Sequence, residues 1–145
     1  MNNHVAGSPD PVLSVVVATF NRAETLKRTL KCLFDQDLDS SRYEIIVVDD
    51  GSPDNTAEVV QQAMETAPVE MSFYHHENRG PGYTQNQGIR KARGRVLMLM
   101  ADDIWMEPQT LRRHFEFHER NPADDVAALA IQGPVSCTIL TLICC

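Results

Sequence analysis

Residues Arg95–Trp105 read Arg-Val-Leu-Met-Leu-Met-Ala-Asp-Asp-Ile-Trp. The apolar run Val96–Met100 predicts a strand that is buried on both faces. This strand leads directly into two adjacent carboxylates, Asp102 and Asp103. Ligands of open α/β sheets bind outside the carboxyl ends of the strands, so a ligand-binding chain would carry acidic groups here. The alternative is that both aspartates simply end the strand and face water, and the rest of the chain has to decide between the two.

The composition is that of one globular domain. With 145 residues, of which 43% are hydrophobic and 23% charged, the chain can bury a real core. Its formal net charge of −7 argues against a general nucleic-acid or anionic-membrane binder, because such proteins present a basic face to phosphates. An acidic protein can still act on anionic nucleotides if a bound metal ion supplies positive charge locally.

The two ends of the chain differ from its middle. Residues 1–11 are polar and lack the apolar core of a signal peptide, so we expect a disordered leader there. No stretch reaches the length of a membrane span, so we expect no transmembrane segment. The four cysteines form no C-x-x-C pair and predict neither a zinc site nor a disulfide framework; they are Cys32, Cys137, Cys144 and Cys145. We therefore expect a cytoplasmic protein, with peripheral attachment at the inner membrane face left open.

Strand and helix patterns alternate four times along the chain. Buried or half-buried strands are predicted over Leu13–Thr19, Tyr43–Val48, Val69–His76 and Val96–Met100, with a further one over Ala127–Ile131. Helices are predicted to begin at Asn21, which reads as an N-cap with Glu24 three residues later, and after Asp54, and to run over Tyr83–Ala92 and about Pro108–Arg120. This alternation predicts an α/β, doubly wound, mostly parallel sheet of about four to five strands with helices on both faces.

Three predicted strand ends carry polar residues that parallel strands would bring to one edge of the sheet. They are Ala18–Asn21, Asp49–Ser52 and Ala101–Asp103. A shared edge turns separate acidic pairs into one candidate pocket.

With these pieces in view, the chain resembles the nucleotide-binding half of a family 2 glycosyltransferase, which has the GT-A fold, a Rossmann-like arrangement. The matching pieces are Ser14–Arg22, Glu44–Asp54, Asn78–Gly82, Asn86–Ile89 and Ala101–Ile104. Each piece is weak alone, but together, and with continuous spacing from Leu13 to Arg120, they are specific.

The resemblance implies a nucleotide-diphospho-sugar donor, with a UDP-sugar favoured, and an acceptor that is a polysaccharide, a lipid or a protein glycan. It implies a donor site in which Ala18 and Thr19 line the base, Asn21 lies nearby, Asp50 hydrogen-bonds the base, Asp102 contacts the ribose and Asp103 binds a divalent metal ion, Mn²⁺ or Mg²⁺. Carboxylate oxygens suit these hard cations, and such a metal would stabilise the leaving diphosphate as a Lewis acid. No nucleic acid is implied as a partner.

Several of these residues have a structural alternative. Asp49 and Asp50 could satisfy the turn and the next helix, a task that suits Asp49 better, and Thr19 and Asn21 could end a strand and cap a helix. The glycine-rich segment Asn78–Gly82 would face the diphosphate by resemblance, although such loops are common before helices.

The remaining charged groups are assigned to surface or packing roles. We expect Arg79, Arg90 and Arg93 to be solvated. His114 and His118 share a helix face, but the segment lacks the acid next to the first histidine that a zinc-protease motif requires, so a surface position or partly buried packing is expected there.

Three departures from the family pattern stand out. Ala18 replaces a usual proline, Thr84–Asn86 replaces Ala-Arg-Asn, and the D-x-D element is reduced to Ala101-Asp102-Asp103.

The last part of the chain departs most. We expect residues 12–131 to form an incomplete donor domain and residues 132–145 an atypical apolar tail that is packed, paired or prone to aggregation. The tail contains no acid, and Asp124 and Asp125 come too early, so the catalytic base of a direct, inverting displacement, typically an aspartate, is unassigned and the chain is expected to be truncated. Deletion of Val135–Cys145 is expected to improve solubility without changing nucleotide binding.

Two functional hypotheses therefore stay open. The chain is either a glycosyltransferase catalytic domain, or its donor half, or a non-catalytic remnant that binds nucleotide and metal or needs a partner. A dinucleotide-binding oxidoreductase would need a G-x-G-x-x-G turn after the first strand, and a receiver-type phosphoacceptor would need acids there; both are absent.

Overall fold

The computed structural model describes residues 11–123, 126–132 and 137–143, and it contains a six-stranded sheet in the order β3-β2-β1-β4-β6-β5. The elements are β1 (Leu13–Thr19), α1 (Ala23–Phe34), a 3₁₀ turn (Ser40–Arg42), β2 (Tyr43–Asp49), α2 (Thr56–Thr66), β3 (Glu70–His75), α3 (Pro81–Lys91), β4 (Val96–Ala101), α4 (Thr110–Arg120), β5 (Ala127–Gln132) and β6 (Cys137–Ile143). None of the helices in this described part combines the length and apolar character needed to cross a bilayer.

The four strands β3, β2, β1 and β4 are parallel, and β1 lies between β2 and β4. Leu13 is opposite both Tyr43 and Val96, so the three central strands start level and their carboxyl ends reach the same edge. Right-handed helical crossovers are the usual way to connect such strands, and this explains the alternating pattern in the sequence. The predicted α/β doubly wound fold is confirmed.

The strand period of two assigns alternate side chains of β1 to opposite layers. Val15 and Val17 belong to the main core, together with Leu26 and Leu30 of α1. Val16, between them in sequence, packs on the other face with β2 residues and Ala92 at the end of α3. The continuous apolar run of β1 follows from burial on both faces.

The segment expected to be an atypical tail forms a strand in its described part. Strand β6 pairs antiparallel with β4 on one side and with β5 on the other, giving six strands rather than four to five. The tail was expected to be packed, paired or prone to aggregation, and its described part is a paired strand. The expectations for the leader, for Asp124 and Asp125, and for Cys144 and Cys145 lie outside the described residues, apart from Pro11.

Three helix starts differ from the prediction, and one of them is that of α3, which begins at Pro81 instead of Tyr83. Helix α1 begins at Ala23 with Arg22, not Asn21, at the N-cap position. Asn21 has a φ of 54°, in the left-handed region where asparagine is tolerated, and it lies one residue before the N-cap. Helix α4 begins at Thr110, so Pro108 precedes the helix instead of occupying its first turn.

The prediction of a solvated surface position for Arg93 is wrong. Its guanidinium bonds Glu44 at 2.9 Å and Glu70 at 2.7 Å, and Glu44 also accepts from the Ser14 hydroxyl at 2.6 Å. Glu44 is buried, and a buried carboxylate needs such partners. The hydrogen bond to Glu70, together with the contact with Glu44, outweighs burial and raises the pKa of Arg93. This network lies at the edge of the sheet opposite the three polar strand ends.

Candidate functional site

A hydrogen bond joins the ends of β1 and β4. Thr19 Oγ1 donates to Asp102 Oδ2 at 2.7 Å, and both residues are buried. The backbone carbonyl of Asp102 accepts from Thr29 Oγ1 of α1 at 2.6 Å. Because both its backbone and its side chain are held by hydroxyl groups, the Asp102 carboxylate has a fixed orientation at the carboxyl edge of the sheet.

Asp50 follows β2 at the same edge. The backbone N–H groups of Arg79 and Gly80 donate to its two oxygens at 2.7 and 2.9 Å. Asp50 thereby fixes the glycine-rich loop at the start of α3. A carboxylate has about four lone-pair sites, so these two bonds leave acceptor capacity for a ligand.

These groups line a cavity of about 400 Å³, within the usual range for small-molecule sites. Its walls come from the ends of β1, β2 and β4 and from the start of α3: Ala18, Thr19, Phe20, Arg22, Asp50, Asn78, Gly80, Pro81, Thr84 and Asp102. The positive N-terminal end of the α3 dipole lies at this wall. The predicted meeting of three strand ends in one pocket is therefore what the structure contains.

Asp49, by contrast, holds the turn after β2. It accepts from the backbone N–H of Ser52 at 3.1 Å and from the Ser52 hydroxyl, and it contacts His75 Nδ1 at 2.9 Å. The turn is tight because Gly51 has a φ of +78°, and a side chain there would meet the backbone nitrogen of Asn78 at 2.8 Å. The structural role expected for Asp49 matches these contacts.

A corner between α1 and α2 depends on Asp54. Its carboxylate accepts from the N–H of Ala23, the first residue of α1, at 3.0 Å, and from the N–H of Thr56, the first residue of α2, at 3.1 Å. Burial raises the pKa of Asp54, but the hydrogen bonds from Thr56 and Ala23 lower it more, and the pKa is below its usual value. Asp54 therefore satisfies the first N–H of α1, the capping role that was predicted for Asn21. The backbone N–H of Asn21 donates to Ser52 Oγ at 2.8 Å. Asn21 is not among the residues that line the cavity.

Asp103 points to a second cavity, of about 510 Å³, next to the first. This cavity is lined by Arg22, Glu24, Thr25, Arg28, Asp103 and Trp105. Arg22 belongs to both cavities, and its Nη1 lies 3.4 Å from Asp102 Oδ1 and 3.1 Å from Asp103 Oδ2.

The geometry of this acid pair bears on the expected metal ion. No cluster of three or more histidine, cysteine or acidic side chains suited to a metal occurs among the described residues. Asp102 and Asp103 can nevertheless approach one cation together, since a single nitrogen of Arg22 contacts both. Mg²⁺ and Mn²⁺ accept one or two protein carboxylates when phosphates and water complete the shell, so the residues fit such an ion together with a diphosphate.

His114 and His118 pack into the domain. Both are buried on one face of α4, more deeply than the surface or partly buried position that was expected. Burial lowers the pKa of both imidazoles, with a further contribution from His118 at His114 and from Arg95 at His118.

Comparison with known proteins decides the family. The model of the family described as glycosyl transferase family 2 matches residues 14–137. The chain belongs to glycosyl transferase family 2. The match includes all three strand ends that form the cavity.

Family 2 relatives extend well beyond the length of this chain. An uncharacterized glycosyltransferase, alr2836, from Nostoc sp. is 36% identical over 105 residues, or 72% of this chain and 32% of that protein. The poly(ribitol-phosphate) beta-N-acetylglucosaminyltransferase TarS from Staphylococcus aureus is 27% identical over 111 residues, or 77% of this chain and 19% of that protein. The chain thus spans about a third or less of the length of these two curated relatives.

Solved structures agree with the fold. The mannosyltransferase PcManGT from Pyrobaculum calidifontis, in complex with GDP-Man and Mn²⁺, aligns with a TM-score of 0.79 at 21% identity, over 94% of this chain and 45% of that one. Residues 1–349 of S. aureus TarS, in complex with UDP, align with a TM-score of 0.71 at 26% identity, over 77% and 33% of the two chains.

The sequence pieces that resemble family 2 contain most, but not all, of the residues that line the first cavity. Ala18, Thr19, Asp50 and Asp102 line the first cavity, whereas Asp103 lies in the adjoining cavity. Sequence reasoning gave no role to Arg22. The available signal was its position three residues after a buried strand that ends beside an acid pair, the usual place for a ligand-binding cation.

Proposed function

We propose that this chain is the donor-binding part of a family 2 glycosyltransferase that transfers a sugar from a nucleotide-diphospho-sugar to an acceptor hydroxyl. The observation that carries the proposal is the Thr19–Asp102 hydrogen bond of 2.7 Å, which joins the ends of β1 and β4 in the wall of a cavity that Asp50 also lines. The chain spans a third or less of the length of the two curated relatives. The activity, the acceptor and the partners of a whole protein are therefore proposed and not observed.

Each acid has a separate role in the proposal. The backbone of Ala18 and Thr19 lines the base, Asp50 accepts a hydrogen bond from it, and Asp102 accepts from a ribose hydroxyl. Buried, oriented carboxylates are strong acceptors for such donors. Asn21, which lies outside the cavity lining, keeps at most a supporting role through its bond to Ser52.

Asp103, with Asp102 beside it, would hold a divalent cation against the diphosphate. Such a cation, when bound, stabilises the charge that develops on the leaving nucleoside diphosphate. The half-exposed Asp103 carboxylate is accessible to an incoming metal–diphosphate complex. A UDP-sugar remains the favoured donor, and the solved UDP-GlcNAc complex of TarS, at 26% identity, supports this choice.

The alternative is a binding module without turnover. Four carboxylates line the two cavities: Asp50, Asp102, Asp103 and Glu24. The three aspartates have donor-site roles in the proposal and Glu24 lies in the first turn of α1, and we assign no catalytic base of an inverting displacement.

Incubation of the purified chain with Mn²⁺ and UDP-GlcNAc, UDP-glucose or GDP-mannose tests these possibilities. Release of UDP or GDP supports the transferase, binding of nucleotide without release supports the binding module, and failure to bind any of these nucleotides contradicts both.

A further inference from the structure

The positively charged guanidinium of Arg22 lies beside the carboxylates of Asp102 and Asp103. Its guanidinium Nη1 lies 3.1 Å from Asp103 and 3.4 Å from Asp102, and it is the residue shared by the linings of the two cavities. Adjacent carboxylates repel each other, and a cation between them relieves that repulsion. The guanidinium therefore serves as counter-ion in the place where the proposed metal would bind.

A divalent ion and this guanidinium cannot share that place. Coulomb repulsion scales with the product of the charges, so an arginine near a divalent cation is repelled twice as strongly as near a monovalent one at the same distance. One of the two cations has to leave the acid pair.

The side chain of Arg22 is free to move while its backbone is not. The Arg22 carbonyl accepts the first helical bond of α1, from the N–H of Leu26, at 2.9 Å, which fixes the backbone. The side chain is 53% exposed, so rotation about its own bonds meets little packing. Because Arg22 also lines the nucleotide cavity, its guanidinium can turn toward an anion there.

We propose that Arg22 is an exchangeable counter-ion: a divalent cation displaces its guanidinium from Asp102 and Asp103, and the released guanidinium then binds the diphosphate of the donor. This inference rests on the proposed function. The planar guanidinium suits phosphate oxygens, to which it can donate two parallel hydrogen bonds. Arg22 would thereby oppose binding of the metal alone and favour binding of the metal with nucleotide, which couples the two ligands.

The test measures the two ligands separately on the chain as it exists. Free Mn²⁺ is followed by electron paramagnetic resonance without nucleotide, and UDP and GDP are titrated calorimetrically at saturating Mn²⁺. For Arg22→Gln we expect Mn²⁺ alone to bind several-fold more tightly, because the competing cation is gone. We expect the nucleotide to bind about tenfold or more weakly, the usual effect of losing a charged hydrogen bond.

Two further variants separate charge from position. Arg90→Gln removes the same charge from an exposed position in the last turn of α3, outside both cavity linings, so both affinities should stay near wild type. Arg22→Lys keeps the positive charge and should leave the affinity for Mn²⁺ alone close to wild type while weakening nucleotide binding.

The outcomes distinguish this inference from the proposed function. If the wild-type chain binds neither UDP nor GDP with Mn²⁺, both fall. If it binds them but Arg22→Gln leaves the affinity for Mn²⁺ alone unchanged, or changes it no more than Arg90→Gln does, only the counter-ion role falls. Unchanged nucleotide affinity in Arg22→Gln would overturn the transfer of the guanidinium to the diphosphate.

Discussion

The single carboxylates at this edge of the sheet have different roles, which depend on the groups that donate hydrogen bonds to them. Asp102 is oriented by a threonine hydroxyl, Asp50 by two backbone N–H groups, and Asp49 by a serine and a histidine. The sequence places all three in similar Asp-Asp pairs, so spacing alone does not separate them. What separates them is the direction of each side chain, because successive residues of an extended segment point to opposite faces.

Asp54 illustrates how a cap can come from a distant residue. Because its carboxylate accepts from the first N–H groups of both α1 and α2, Asp54→Ala leaves two helix ends short of a partner. We expect a loss of about 1–2 kcal/mol in the free energy of unfolding, measured by urea denaturation. Glu65→Ala, which removes the same charge from an exposed position on α2, should change it by less than about 0.5 kcal/mol. Equal effects of the two substitutions would contradict the double cap.

At the scale of elements, α3 lies unusually close to the sheet. A Cβ on Gly88 would meet Val16 Cγ1 at 2.3 Å and Val48 Cγ2 at 3.3 Å, and both valines are buried in central strands. The start of the same helix carries Pro81 and Thr84, which line the first cavity. The position of the cavity wall therefore depends on this close contact.

Gly88→Ala should push α3 away from the sheet. We expect destabilisation of about 1–3 kcal/mol from overpacking, partly offset by the better helix propensity of alanine, together with weaker nucleotide binding. Gly82→Ala, in the first turn of the same helix, is the matched control because a Cβ there meets nothing within 4 Å. Denaturation curves showing Gly88→Ala to be as stable as Gly82→Ala would contradict the close packing.

Helix α4 gives the fold a pH dependence. Burial lowers the pKa of His118 below its ordinary value, so between its folded and unfolded pKa values the unfolded chain binds more protons. The free energy of unfolding should therefore fall as the pH drops below about 6.5 and level off beneath the folded pKa. His118→Gln should make this slope shallower in urea titrations between pH 7.5 and 5. An unchanged slope would show that His118 does not carry it.

The element pattern was largely predictable, for a physical reason. Strands β1 and β4 are buried on both faces, and continuous apolar runs of that length leave few alternatives. The start of α1 was not predictable from local sequence, because the backbone N–H of Ala23 is satisfied by Asp54, 31 residues later. The network around Glu44 was missed for the same reason, since Arg93 is 49 residues away.

At the scale of the whole molecule, β6 extends the sheet beyond β4. It pairs with β4 and with β5, and β5 has β6 as its partner in the described sheet. The solubility gain expected from deleting Val135–Cys145 is therefore replaced by the opposite prediction.

Deletion of 135–145 should lower the thermal midpoint and expose the edge of β4, with aggregation as the consequence. Removal of 144–145 alone, which leaves both strands intact, is the control. A deletion variant with an unchanged midpoint would show that β6 adds nothing to the stability of the fold.

For the whole molecule, we propose that one edge of the sheet binds a nucleoside diphosphate together with a divalent cation through Asp103. The most direct test is calorimetric titration of UDP and GDP, with and without Mn²⁺, into wild type, Asp103→Asn and the control Asp37→Asn, whose exposed carboxylate pairs with Arg112. We predict nucleotide binding that Mn²⁺ strengthens in wild type and in Asp37→Asn, and loss of that Mn²⁺ effect in Asp103→Asn. An Mn²⁺ effect of equal size in all three proteins would contradict the assignment of the metal to Asp103.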